Sequence, residues 1–452
     1  MIGKSKLLET LELALGRSRA EQTEVSITGY DSYLTRFANS QIHQNVAEHN
    51  SLCTVRCAVG KKVGAASTND LDPASILKTL QMAHEIARFQ LANPDFASFP
   101  AGPYVYPDLV TYVPATHELT AETRAQNVRR IVELVQARQL RAFGSYTNGA
   151  VEVAVGNSLG VRAYGLASDV YCNVVAVGPS SSGYAAAAAR NAATLDCEAV
   201  ARRAAEKAEL SADPTDLDPG TYEVILEPLA AAELAEFLGW LGFGAKALQE
   251  GRSFLVGKLG TRIVDEQLSF CDDALNESGF AFPFDAEGVP KQRVPLLEHG
   301  IARAVVYDSL TAGKEPNKTS TGHAVSGGYG PAPVNIVFAP GNSTPEGMIA
   351  DCRQGILVTR FHYTNVIDPM RTVFTGMTRD GTFLIENGRI SRPVKNLRFT
   401  QNILSALRTV YGISQELALT GGGAGYGGRF ATGTLAPFLH LAEFSFSGKT
   451  EF

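Results

Sequence analysis

The 452-residue sequence has no surplus of positive charge, no uninterrupted apolar run and few cysteines. Lys and Arg number 40 against 46 Asp and Glu, a net charge of −6, which argues against the broad basic face that nucleic-acid binding by counterion release requires. The most apolar stretch, Leu229 to Leu248, is interrupted by Glu233, Glu236 and Lys246, too many charges for a bilayer span of ~20 residues. At the N-terminus Leu8, Leu11 and Leu15 share one helical face, but Glu9 and Glu12 break the apolar core a signal peptide needs, so the segment reads as a surface helix. A soluble, cytoplasmic protein is expected. The six cysteines (Cys53, Cys57, Cys172, Cys197, Cys271 and Cys352) are scattered, and without a secretion signal reduced thiols are expected. Cys53 and Cys57 lie in the strand-like run LCTVRCAV, where both thiols project to one face. No second Cys/His pair with ligand spacing lies nearby, so they read as buried small residues rather than metal ligands.

What is present is an ordinary globular composition, 45% hydrophobic and 19% charged, in a chain long enough for two or three domains. Glycine is abundant at 43 residues, favouring strands and turns over a helix bundle. Val25 and Ile27 alternate in a strand, LCTVRCAV follows as a second, and Asp72 with Pro73 opens a helix carrying Ile76, Leu80, Ala83 and Ala87 on one stripe. A second helix near Thr120 turns Ala125, Val128, Val132 and Val135 inward; VEVAV and SDVYCNVVAV then alternate as strands, and a third helix opens at Asp196. Because these strands come in adjacent pairs, residues 1–213 are expected to be an α+β domain of antiparallel sheet with covering helices. SADPTDLDPG reads as a linker. Residues 220–452 then open with a strand and a helix over 229–248 and continue as short strands and Gly-Pro turns, with further helix only near Glu346 and Asn402. That pattern predicts a mostly β, barrel-like domain that hides its edges.

The motifs resist simple readings. Gly423 to Gly428 satisfies G-x-G-x-x-G in form, but no helix opens after it and the chain ends before the rest of a βαβ unit, so a flexible loop near a cleft is expected instead. Ala324-Val325-Ser326-Gly327-Gly328 resembles a nucleophile elbow, yet Gly330, Pro331 and Pro333 forbid the helix an elbow needs; Ser326 reads as a turn serine. No histidine falls between His117 and His299. His323, His362 and Asp368 would form a metal or acid–base site if their loops met, although isolated loop histidines are more often merely hydrogen-bonded. The stretch Lys314 to His323 offers donors for peptide carbonyls or a terminal carboxylate, with a solvated loop as the alternative.

Several separated segments together resemble the TldD/PmbA family of peptidase-related proteins, once described as modulators of DNA gyrase. In the first half these are TRFANSQIHQN and VRCAVGKKVGAASTNDLD; in the second, RSFLVGKLGTRI, VYDSLTAGKEPNKTSTGHA, PAPVNIVFAPGN, GILVT and GMTRDGTFLIENGRI. Their order covers nearly the whole chain, while FHYTNVIDPMRTVFTGMTRDG is a strict copy of neither subunit type. The resemblance implies one of two subunits. The TldD kind carries His-Glu-x-x-x-His on the helix opening the second domain and a later cysteine, together holding a zinc-type ion. Here the matching helix, LAAAELAEFLGWLGFGAKALQEG, has no histidine, and TGGGAGYGGRF has no cysteine. Glu233 and Glu236 remain, a poor transition-metal site without imidazole, and are expected to flank the helix start.

The sequence therefore resembles the PmbA/TldE kind: no metal and no catalytic residue in this chain, a zinc-type ion in a TldD-like partner, and a heterodimer enclosing a cavity for unfolded or leader peptides. Arg36, Asn39 and Gln44, with Lys318, Ser320, Thr321 and His323, are the expected peptide-binding positions. Two other readings stay open, a self-sufficient metallohydrolase using His323, His362 and Asp368, and a homodimeric binding or scaffold protein.

Overall fold

Alternating apolar positions build the first half. In chain order it contains α1 (Lys4–Arg17), β1 (Gln22–Ala38), β2 (Gln41–Val59), β3 (Lys62–Thr68), α2 (Pro73–Phe89), α3 (Pro114–His117), α4 (Ala121–Gln136), β4 (Arg141–Asn157), β5 (Arg162–Val177), β6 (Ser182–Ala189) and α5 (Cys197–Leu210). The computed structural model describes residues 1–425 and 428–450. The six strands form one antiparallel sheet in the order β3-β2-β1-β4-β5-β6. One face is covered by helices: α1 and α2 over Val25, Ile27, Cys53, Val55 and Cys57, then α4 and α5 over Val170, Cys172 and Val174. The alternate positions Val151, Val153 and Val155 face the other way and meet Phe282 and Phe284 from the second half of the chain. All six cysteines are buried and free. Burial alone pushes the Cys53 thiol up to about 12.

The helices match the expected spans, and their buried stripes shift by a residue in two cases. In α1 the interior positions are Leu7, Leu11 and Ala14, with Leu8 and Leu15 at the margin. In α4 they are Val128, Ile131 and Val135, and Arg124 occupies the place expected of Ala125. Arg124 goes inside because Thr35 Oγ1, Asn148 Oδ1 and Leu119 O accept from its guanidinium. Asp72 precedes α2 as expected, but its side chain makes no capping hydrogen bond.

The second half contains β7 (Gly220–Leu226), α6 (Pro228–Gly242), α7 (Ala245–Gln249), β8 (Phe270–Asp272), β9 (Val294–Glu298), β10 (Ile301–Ala302), α8 (Ser309–Ala312), β11 (Ile336–Phe338) and α9 (Pro345–Asp351). It continues with β12 (Gln354–Asp368), β13 (Val373–Glu386), β14 (Arg389–Pro393), β15 (Leu397–Asn402), α10 (Ile403–Ala406), β16 (Val410–Ile413), β17 (Ala418–Gly425), β18 (Gly428–Ala436) and β19 (Leu439–Lys449). The pairings β12–β7, β7–β19, β19–β15, β15–β13 and β13–β12 close into a ring, giving the barrel-like domain expected. Phe361, Phe374, Phe399 and Phe444 fill it, with ring centroids 4.7 Å apart for Phe361–Phe399 and 5.2 Å for Phe399–Phe444. Such aromatic edge and tilted contacts add to an already large apolar burial. A second sheet, β10-β9-β8-β11-β18-β17, packs beside the barrel and leaves β17 at its edge.

The single helix expected over 229–248 is broken between α6 and α7. The backbone at Gly244 bridges to Val306, and a Cβ there would lie 2.3 Å from the Pro331 carbonyl oxygen, so the chain must leave the helix to make that contact. The segment read as a linker is tied down: Thr215 N donates to Pro393 O, and Lys395 pairs with Asp216. No described helix is long and apolar enough to cross a membrane.

Where the halves meet, carboxyls are buried. Arg56 on β2 donates to Glu24 Oε1 at 2.8 Å, Glu287 approaches the same guanidinium, and Glu24 Oε2 has no partner. Burial pushes Glu24 up to about 7 against the pull of Arg56. Asp285 rises to about 7, from burial and then from Glu287. Both groups hold a proton in the folded chain that the unfolded chain has already lost. Their stabilisation is complete below the unfolded carboxylate range and is lost as pH rises through about 7. A melting temperature that falls between about pH 5 and pH 7.5, with a shallower fall in Glu24→Gln, is therefore expected from calorimetry across that range.

Candidate functional site

A cavity of about 910 Å³ lies between the two halves, on the sheet face opposite the helices. Its first wall is built by Ser32, Leu34 and Arg36 on β1, Ser145 and Thr147 on β4, Tyr171 on β5 and Tyr184 to Ala187 on β6. Its second wall is β17 with the start of α6, where Glu227, Pro228 and Leu229 line the space. Two strand edges therefore border it, because β6 ends the first sheet and β17 ends the second. An edge strand carries backbone N–H and C=O groups without ladder partners, the feature that accepts an added strand.

The polar lining is engaged rather than loose. Lys207 on α5 pairs with Glu227 at 2.5 Å, and Glu227 also accepts from Thr359 Oγ1. The hydroxyls of Tyr171 and Tyr184 are 3.0 Å apart, and the Arg360 guanidinium lies 4.3 Å from the Tyr184 ring centroid, held from behind by Asp380. Burial, followed by the neighbouring Tyr184, drives the Tyr171 phenol well above its ordinary value, so it acts as a neutral hydrogen-bonding group. On β5, Asp169 and Tyr171 alternate with the helix-covered Val170 and Cys172, which is the periodicity that points them toward the cavity side. That alternation was available in the sequence and was the signal for these residues.

The glycine-rich segment is a β-hairpin, β17–β18, not the expected flexible loop; Tyr426 and Gly427 lie outside the described residues. Strands on both sides also exclude the dinucleotide reading. The hairpin is held against the first sheet by a buried ion pair. Arg429 donates through Nε to Asp169 Oδ1 at 2.8 Å and through its terminal nitrogens to Asp169 Oδ2 at 2.7 Å and Ser32 Oγ at 3.1 Å. Gly423 N completes the set by donating to Asp169 Oδ2. A Cβ at Gly423 would fall 2.3 Å from Asp169 Oδ1, and one at Gly149 would fall 2.1 Å from the Asp31 carbonyl oxygen and 2.8 Å from Arg429 Nε, so neither position has room for one.

The sequence-predicted positions scatter. Arg36 lines the cavity and donates to Gln44 Oε1 across the β1–β2 ladder. Asn39 sits in the turn joining those strands, at φ 48°. Lys318, Ser320, Thr321 and His323 are absent from the cavity lining. Lys318 lies over the Tyr307 ring, while the Ser320 and Thr321 hydroxyls both donate to Tyr307 O. His323 is fully buried, its Nε2 2.9 Å from Asp272 Oδ1 and its Nδ1 against Thr321. Nor do His323, His362 and Asp368 form a ligand cluster. Among the described residues the group with metal-ligand spacing is Glu223, Cys352 and His440. Asp368 instead accepts from the Arg371 amide. Ser326 lies in a turn followed by Gly327 and Gly328 at positive φ, without a helix, as expected.

Glu233 and Glu236 lie beyond the first turn of α6, whose start is flanked by Glu227; this corrects their expected place. Thr364 Oγ1 donates to Glu233, and Thr434 Oγ1 donates to Glu236 at 2.8 Å. Burial pushes Glu233 up to about 6. The cavity is lined by Glu48, Glu227 and Glu416 but by no imidazole or thiol. That donor set does not fit a hydrolytic zinc-type ion, which takes nitrogen or sulphur ligands with an open position.

The chain matches the PmbA/TldA metallopeptidase C-terminal domain over residues 219–448, domain 1 over 23–87 and the central domain over 112–212. It belongs to that family. It is 27% identical over 435 residues to the metalloprotease PmbA of Escherichia coli O157:H7, covering 90% of each chain. It is 28% identical over 242 residues to a metalloprotease of Methanothermobacter thermautotrophicus, an alignment that spans about half of each, 52% and 52%. The fold is that of TldE from Thermococcus kodakarensis, with a TM-score of 0.87 over 98% of this chain and 100% of that one at 18% identity.

Removing one member of the buried pair leaves the other charge stranded. Arg429→Met is expected to lower stability by about 3 kcal/mol. The double variant with Asp169→Leu should recover part of that loss, as denaturant unfolding of the three proteins would measure.

Proposed function

We propose that this chain is a TldE-like, non-catalytic subunit that pairs with a metal-bearing TldD-like partner and lends its cavity to extended peptides. The observation that carries the reading is the combination of two open strand edges around the cavity with a lining that has no imidazole or thiol. The edges of β6 and β17 suit the main chain of an unfolded or leader peptide, which an edge binds through backbone hydrogen bonds largely regardless of side chains. Arg36, Lys207, Glu48, Glu227 and Glu416 place both signs of charge near that path. The bond-breaking ion and its activated water come from the partner. Family membership and the PmbA and TldE relatives support the assignment.

Co-expression with a TldD-like protein of the same cell tests it. The two should co-purify, with peptide hydrolysis by the pair that chelation abolishes and none by this chain alone. Chelator-sensitive peptide turnover by the isolated chain would establish the self-sufficient hydrolase instead. A stable symmetric homodimer that ignores the partner would establish the scaffold.

A further inference from the structure

Away from the cavity, three ligand-type side chains from separate elements converge on the barrel. Glu223 lies on β7, His440 on β19, and Cys352 follows α9. One atom from each, a carboxylate oxygen, an imidazole nitrogen and the sulphur, lies within 4.8 Å of the others. None of the three lines the cavity.

The arrangement is closely built. β7 and β19 are neighbours in the ladder, with His440 opposite Ile225, so Glu223 and His440 reach the same side of the barrel wall. His440 Nε2 is 2.6 Å from Glu223 Oε1. The Cys352 sulphur lies within 4.8 Å of a ligand oxygen of the same carboxylate. Gly355 makes room for it, since a Cβ there would lie 2.6 Å from Cys352 Sγ. Cys352 and His440 are buried, and the Glu223 side chain is 22% exposed, which leaves an approach from solvent on one side. The edge of the Tyr411 ring, 5.4 Å away between centroids, fixes the orientation of the imidazole.

The geometry points to a zinc-type divalent cation site formed by Glu223, Cys352 and His440. Sulphur, nitrogen and oxygen donors together select a borderline ion such as Zn²⁺ over Mg²⁺ or Ca²⁺, which prefer all-oxygen shells. Two nitrogen or oxygen ligands on one tetrahedral zinc sit about 3.3 Å apart. His440 and Glu223 therefore need to open by about 0.7 Å from the 2.6 Å they hold, which rotation of the partly exposed carboxylate supplies. On binding, the Cys352 S–H bond breaks, an S–metal bond forms and the proton leaves to solvent; the metal stays divalent. Affinity is thus expected to weaken by about tenfold for each pH unit of acidification, as one proton per metal requires. The site ties β7, β19 and the end of α9 together, and none of its residues lines the cavity, so it goes beyond the proposed subunit role.

The test uses the isolated full-length chain and needs neither partner nor peptide, so its outcome is separate from that of the subunit reading. Titration with Co²⁺ should give about one equivalent with a near-ultraviolet thiolate-to-cobalt band that Zn²⁺ bleaches. Cys352→Ser should abolish the band, and His440→Asn and Glu223→Gln should each weaken zinc binding by at least ~10-fold. Should a variant not fold, X-ray absorption of the zinc-loaded wild-type chain answers the question, with one sulphur and otherwise nitrogen or oxygen around the ion. No thiolate band in the wild-type chain, a band that survives Cys352→Ser, or a shell without sulphur would overturn the site and leave a hydrogen-bonded triad.

Discussion

The buried pair of Asp169 and Arg429 is the constraint on which the cavity depends. It joins residues 260 positions apart, one in the first sheet and one in the second. A charge pair taken out of water is stable only when its remaining donors and acceptors are also met. Here Gly423 N and Ser32 Oγ meet them. Those partners hold the backbone of β17 against Asp169 on β5, which leaves no room for a Cβ at Gly423. Gly421 answers instead to the Thr432 carbonyl on β18, so docking accounts for Gly423 within the glycine run of β17. It resembles a phosphate-binding loop only because both need backbone to approach a charged oxygen, one from a ligand and the other from Asp169.

Much of the secondary structure was legible because it rests on local periodicity. The α2 stripe of Ile76, Leu80, Ala83 and Ala87 and the alternation around Cys53 and Cys57 occupy the positions their spacing dictates. Arg124 shows where that reasoning stops. Its inward turn needs acceptors from Thr35, Leu119 and Asn148, which only the tertiary fold supplies. The break after α6 is equally non-local, set by Val306 and Pro331. His323 is the clearest case at the level of the site. A histidine in a Gly- and Ser-rich segment reads as a cleft residue, yet Asp272 draws it into the interior. Arg36 shares the alternation of β1 with Ser32 and Leu34, and that side of the strand lines the cavity. Tyr171 and Asp169 were within reach of the same alternation that placed Val170 and Cys172 inside.

The cavity is lined by polar groups that are already engaged. Its charged groups are largely paired or hydrogen-bonded, Lys207 with Glu227 and Arg36 with Gln44, and Tyr171 is held neutral by burial. Groups so engaged position a ligand without supplying a nucleophile or a proton acceptor of unusual strength. Glu233 is the exception in value, raised to about 6, but its carboxylate is occupied by Thr364 and it does not line the space.

The absence of histidine from α6 is also a matter of volume. Ala230, Ala231, Ala232 and Ala235 are all essentially inaccessible, and Leu234 and Leu238 complete the buried surface of the helix. Alanine at these positions lets the helix lie close against the barrel. An imidazole introduced at any of them adds several heavy atoms to a closely packed interior, at a cost of roughly 1–3 kcal/mol or more in strain for each overpacked site. Two such residues a turn apart would require the helix to move outward before either could reach a metal. The packing of α6 thus favours small residues on its buried face. The Glu223, Cys352 and His440 group avoids that difficulty because it lies where β7, β19 and the end of α9 come together, and Gly355 leaves the sulphur its space.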